Sequence, residues 1–272
     1  IMNALLQSRA DVNGRSKSRF KQYCVRTGMQ PLHIAAQRGH TAAIMLLLDR
    51  RAQVDALDAM KGTPLCLAAS FGNCDEMELL LDRRAEVGCV DKMGLTPIAY
   101  AVIFGRAKVV QKLVARGAVI SPNEDGINVV HLACVFNAGA EVVRALVESK
   151  ADINAPIRPV KFGIVWSAMS ALTIRYRLGG RSFLPLASYH SWGATPCMLA
   201  VMYVNGGEKQ ALVDVGADLT VRNDHGADVW QIMKLLCAAR DPMRRFDTFN
   251  QALRTAATGM DRELEMRCLC TD

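Results

Sequence analysis

The sequence predicts an all-α solenoid of stacked helix-turn-helix units joined by hairpin-like loops, and three observations carry that prediction. Residues 62–72, GTPLCLAASFG, recur in similar form at 94–105 as GLTPIAYAVIFG. An alanine closes each unit at Ala52, Ala85, Ala118, Ala151 and Ala217, in steps of 33, 33, 33 and 66 residues. The composition is 51% apolar but only 6% aromatic, rich in alanine and leucine, which suits helices in close contact. A period of this length means units that cannot bury their own faces and therefore stack.

The elements follow in order. Residues 1–13 are the end of a truncated repeat, because RADVN with Ala10 closes a unit whose start is missing. Residues 14–27, GRSKSRFKQYCVRT, exceed the usual connection by about nine residues and form a basic insert. Residues 28–154 hold four repeats. In these and the later copies, Thr63, Thr96 and Thr195 are placed to cap a helix, and Pro64, Pro97 and Pro196 fit its first turn. Paired alanines such as Ala35–Ala36 and Ala68–Ala69 allow close approach, and Gly39, Gly72 and Gly105 permit a tight turn. A second helix with an apolar stripe follows, as in Leu46–Leu48 and Leu79–Leu81. Residues 155–192 break the period: the 66-residue step leaves room for one degenerate repeat, the first reading, or for an inserted loop, with a membrane-surface helix a distant third. Residues 193–240 resume the register with Asp228 at the threonine position. Residues 241–272 read as a helical C-cap and tail, with Phe246, Phe249 and Leu253 on one stripe.

The stretch QPLHIAAQRGH followed by LLLDRRAQVDA resembles the ankyrin repeat, as do TPLCLAASFGN with LLLDRRAEV and TPIAYAVIFG with KLVARGAVI. Weaker copies are NVVHLACVFNAG with ALVESKADIN and TPCMLAVMYVN with ALVDVGADLT. The resemblance covers about residues 1–154 and 190–240. It implies binding of a partner protein, whose identity the repeat does not specify. His33 and His131 fall at the family's histidine position, where a ring bonded to local loop backbone is expected rather than a ligand or base.

No apolar run reaches the roughly 18 residues that a membrane span needs. The net charge of +7 is local: the windows 12–48 and 153–207 hold eleven of the 33 basic residues and none of the 26 acids, so the rest is slightly acidic. Arg15, Lys17, Arg19, Lys21, Arg26, Arg175, Arg177 and Arg181 form a candidate basic patch, though nucleic acid is not expected as a partner. The nine cysteines include no CxxC pair, so reduced core thiols in a cytoplasmic or nuclear segment of a longer chain, monomeric in itself, are expected. No P-loop, nucleophile elbow or HExxH is present, and neither enzyme activity, cofactor nor metal is expected. Glu76 and Glu78 read as solvated helix carboxylates.

Four aromatics fall late in the first helix of their units: Phe71, Phe104, Phe136 and Tyr203. The family resemblance places this position on the concave face, beside the hairpin-like loops. Ile103, Val135 and Met202 neighbour them, and the loops add Met60, Met93 and Leu95, a set rich in interface-type anchors. A binding stripe and a set of rings packed inside the stack fit the sequence equally well. The expected function is a protein-binding scaffold. The alternatives are a regulatory or targeting module of a larger enzyme or channel, and a nucleic-acid or anionic-membrane binder working through the basic inserts.

Overall fold

A computed structural model describes residues 11–16, 28–120, 127–157, 192–203 and 206–238, in two units, Ile1–Ile120 and Ser121–Asp272. Among the described residues there are eleven α-helices and no strand. The first unit contains α1 (Pro31–Arg38), α2 (Thr41–Asp49), α3 (Pro64–Phe71), α4 (Cys74–Asp82), α5 (Pro97–Ile103) and α6 (Ala107–Ala115). The second contains α7 (Val129–Phe136), α8 (Ala140–Glu148), α9 (Pro196–Met202), α10 (Gly206–Asp214) and α11 (Val229–Ala238). The expected helical C-cap lies outside the described residues.

Three first helices, α3, α5 and α7, begin on an extended residue that accepts an N–H from the first turn. Thr63 Oγ1 accepts from Cys66, Thr96 Oγ1 from Ala99 at 3.3 Å, and Asn128 Oδ1 from His131 at 2.9 Å. Asp228 and Gln231 satisfy each other's N–H groups at the start of α11, a reciprocal cap. Thr195 departs from expectation: it holds the N-cap position of α9, but its buried hydroxyl makes no cap bond. The turns out of α1, α3, α5 and α7 each take a left-handed residue, with φ 70° at Gly39, 82° at Gly72, 69° at Gly105 and 55° at Asn137. A second left-handed residue ends each second helix, at Arg51, Arg84, Gly117, Lys150 and Gly216.

First helices pack on first helices and second on second: α1, α3 and α5 form one row of the first unit, and α2, α4 and α6 the other. Alanines 35, 36, 68, 69, 99 and 101 are buried in the first row, which lets those helices lie close. Leu47, Leu80, Leu113, Leu146 and Leu212 recur at one register of the second helices and are all buried. Each such leucine stabilises the fold by about 1.5–3 kcal/mol relative to leaving it exposed.

Glu76 corrects the solvated reading. It is buried at the start of α4, where it accepts the Thr41 hydroxyl of the preceding repeat. Glu208, at the same register of α10, accepts the N–H of Gly139. Asn73 and Arg106 also reach back, donating to the carbonyls of Ala36 and Ser70 respectively. A carboxylate so placed avoids the desolvation cost of an unsatisfied buried charge.

One hydrogen bond measures the spacing of repeats along the chain. Asp55 Oδ1 accepts the N–H of Glu86, 31 residues on. Asn13 makes the same bond to Gln53 across 40 residues, and Asn154 makes it to Asp218 across 64. The repeats closed by Ala151 and Ala217 are thus in direct contact, with α9 packed on α7 and α10 on α8. The expectation of a degenerate repeat or an inserted loop over 155–192 falls almost wholly on residues outside the described ones. Five of the loops between repeats, the fingers, are closed at the base by a backbone bond. It runs from the N–H of Ser16, Asp58, Asp91, Ile157 or Asn223 to the carbonyl of Met29, Gly62, Leu95, Ala194 or Ala227 respectively. Residues 17–27 and 158–191 lie beyond two of these closures and outside the described residues.

Candidate partner-binding surface

The fingers are folded by buried carboxylates. Asp58 Oδ1 accepts the N–H groups of Met60 and Gly62 at 2.8 and 2.7 Å. Asp91 Oδ1 accepts those of Met93 and Leu95 at 2.8 and 2.9 Å, and its Oδ2 takes the Tyr100 hydroxyl at 2.6 Å. Asn223 repeats the pattern with His225 and Ala227. An aspartate that binds its own backbone two and four residues on makes a tight turn and leaves the intervening side chains outside. Met60 and Met93 stand exposed at these tips, beside exposed Lys61 and Lys92. The Lys92 N–H donates to the Met60 carbonyl at 2.9 Å, so the two tips lie side by side.

The last turns of the first helices supply the rings. Phe71, Phe104 and Phe136 are 49%, 53% and 51% exposed, so none is a core side chain. Each helix turns its alanine face to its neighbours, which leaves this final position over solvent. Leu95, Ile103, Val135 and Tyr203 are half-buried. Met202 is a correction: it is 1% exposed, because α9 is packed against both α7 and α11, and it offers nothing to a partner. Phe71 and Phe104 belong to the first unit, Phe136 and Tyr203 to the second. Of the basic patch, Arg15 is described and exposed, whereas Lys17, Arg19, Lys21, Arg26, Arg175, Arg177 and Arg181 lie outside the described residues. Sequence reasoning picked out the two tip methionines and passed over the adjoining lysines; the dipeptides Met60–Lys61 and Lys92–Met93 were the available signal.

The titratable groups with reaction potential are occupied structurally. His33 Nδ1 accepts the Gln30 N–H at 3.1 Å, and its Nε2 donates to the Gly62 carbonyl. His131 does the same with Asn128 and Ala155, at 3.1 and 2.9 Å. Burial pulls the His131 ring down to about 4, so it is neutral near pH 7, as its acceptor role at Nδ1 requires. Each histidine ties its helix to the next finger, the backbone role expected for it. Cys66 takes the corresponding position in the second repeat and lies 3.9 Å from Cys89, both thiols beside the Thr63 hydroxyl. Burial and the neighbouring Cys66 push the Cys89 thiol well up. Among the described residues no three His, Cys, Asp or Glu side chains gather as a metal site would need. Exposed ion pairs, Asp49 with Arg83 and Asp82 with Arg116, join successive second helices. Glu78 bridges Lys112 and Arg116 in the same way.

Rows of helix pairs, fingers held by buried aspartates and rings exposed at the helix ends define a helical-repeat solenoid that presents side-chain surface. The family profile described as "Ankyrin repeats (3 copies)" matches residues 1–91 and 65–157, together more than half of the chain. The chain belongs to the ankyrin-repeat family, whose repeats generally mediate protein–protein interaction and are typically not enzymes. No curated protein matches it. No described helix is long and apolar enough to cross a membrane.

Proposed function

We propose that this chain is a protein-binding scaffold that captures its partner through the finger tips and the last turns of the first helices. The observation that carries this reading is the exposure of Phe71 and Phe104 at one register of neighbouring repeats in the first unit; Phe136 is exposed at the same helix position in the second unit. Contiguous apolar surface that a fold leaves uncovered marks an interaction site more often than scattered single residues do. Large rings with little rotamer freedom are efficient anchors for such a site.

The test is the triple variant F71S/F104S/F136S, compared with the wild type in thermal melting and in capture of cellular proteins. Half-exposed rings add little to stability, so the melting curve should stay cooperative and close to wild type while capture is lost. Core phenylalanines would each cost about 3–5 kcal/mol on truncation, and the triple variant would then be unfolded at room temperature. Retained capture by a folded triple variant would also reject this surface.

A further inference from the structure

We propose that the finger face of the first unit takes an acidic peptide segment with interleaved apolar anchors, a refinement that rests on the partner-binding reading above. Two kinds of side chain line it, the rings about 12 Å along the first helices from the fingers at which those helices start. Phe71 and Phe104 end α3 and α5, which pack side by side, and Met60 and Met93 cap two fingers joined through the Lys92 N–H. Lys61 and Lys92 adjoin those methionines and are exposed.

Cations continue along the helix ends. Arg38 occupies in α1 the position that Phe71 and Phe104 fill in the next two repeats, and it is exposed. Arg106 follows the turn after Phe104, is exposed, and has its Nε bonded to the Ser70 carbonyl at 3.1 Å, which fixes the guanidinium beside the Phe71 turn.

The acids of the unit are elsewhere or already occupied. Asp58 and Asp91 are buried beneath the finger tips with Oδ1 of each on backbone N–H groups and Oδ2 of Asp91 on the Tyr100 hydroxyl. Asp49, Glu78 and Asp82 stand on the second helices and pair with Arg83, Lys112 or Arg116. Glu76 is buried against Thr41. Asp11 and Asp55 accept backbone N–H groups in the loops after second helices, and exposed Asp75 and Glu86 lie on α4 and the loop beyond it. The finger face is thus positive and apolar, while the exposed negative charge lies on the second helices and their loops. A segment that alternates carboxylates with aliphatic or aromatic side chains satisfies both halves of this surface. A basic segment would meet like charge at each tip.

A displayed library of short random peptides, panned on the folded chain and counter-selected on F71S/F104S, tests the proposal. Peptides enriched by the wild type alone should be rich in Asp or Glu interleaved with Leu, Ile, Phe or Trp. Synthetic versions, followed by fluorescence polarisation, should lose about tenfold in affinity on K61E/K92E and weaken as salt rises. Their Asp/Glu→Lys counterparts should not bind. Circular dichroism melts of K61E/K92E and F71S/F104S establish that both remain folded.

Phe-dependent peptides that are neutral or basic would overturn the acidic assignment and leave the scaffold reading standing. Failure to enrich any peptide dependent on Phe71 and Phe104 would remove both. A single-stranded oligonucleotide that binds the wild type and is lost on K61E/K92E, with no peptide doing so, would replace the peptide by a nucleic acid.

Discussion

Replacing Lys209 by methionine should stabilise the second unit. Ile44, Met77, Val110 and Val143 occupy one register of the second helices, and Lys209 takes that place in α10, only 1% exposed. Burial pulls its ammonium from 10.5 down to about 8, opposed by Cys197 and Glu208 nearby. That displacement corresponds to roughly 3 kcal/mol held against the charged form. Below pH 8 the lysine is charged both folded and unfolded, so the cost is present in full at pH 7. Between pH 8 and 10.5 the folded form has shed its proton while the unfolded form keeps it, and stability rises with pH. The Cys197 thiol, pushed up to about 12 by burial, and the Cys134 thiol, also raised by burial, work against that rise, since near pH 9 they ionise only in the unfolded chain. K209M should therefore gain about 1–3 kcal/mol over the wild type at pH 7, an advantage that shrinks by pH 9.5 while the thiol contributions cancel between the two proteins. Circular dichroism melts of both proteins at the two pH values measure this. A variant that melts below wild type at pH 7, or an advantage that does not shrink by pH 9.5, would show that bonds to the ammonium outweigh its desolvation.

Two further predictions concern the backbone and acid stability. Arg84→Gly should stabilise by about 0.5–1 kcal/mol, because a left-handed non-glycine residue costs roughly 1–2 kcal/mol and glycine's extra unfolded entropy cancels only part of that. The motive is φ 67° at Arg84, against 85° and 83° at Gly117 and Gly216 in the same register; a lower urea midpoint for the variant would refute it. His131, lowered from 6.5 to about 4, contributes stability that is present above pH 6.5 and lost as pH falls from there towards 4, up to roughly 3 kcal/mol. Asp152 and the Ala155 and Ala194 carbonyls favour its charged form, but burial outweighs them. Urea melts at pH 7 and 4.5 should show that loss in the wild type, and H131Q, weaker at pH 7, should show a smaller decline.

The helix starts were legible in the sequence because Thr-Pro and Asp228 carry their own local chemistry, and the turns because Gly39, Gly72 and Gly105 sit at fixed offsets. The place of 155–192 was not. An insert whose excess equals the 33-residue period leaves the register of Ala151 and Ala217 intact, so spacing alone could not tell an extra unit from a loop. The register of Lys209 was legible, since it precedes Ala217 by eight residues as Ile44 precedes Ala52, but its burial was not, because an amphipathic lysine can reach water from such a place. Glu76 was misread because helix periodicity records which face a residue occupies but not whether a neighbour such as Thr41 will bond it. The phenylalanines stood undecided because a ring in a last turn can lie inward or outward, and the packing of the next repeat determines which.

The closed base at Ile157 and Ala194 separates length from thickness. With that bond in place, adding chain beyond it lengthens a loop whose ends already meet. By the logarithmic law of loop closure, growing a finger of a few residues to several tens costs only about 2 kcal/mol, and no leucine or rung in the stack has to move. Such a finger can take on mass and composition of its own while the repeats on either side remain unchanged. The fingers closed at Ser16 and Ile157 are consequently ports at which foreign sequence, natural or grafted, can be carried without counting as height.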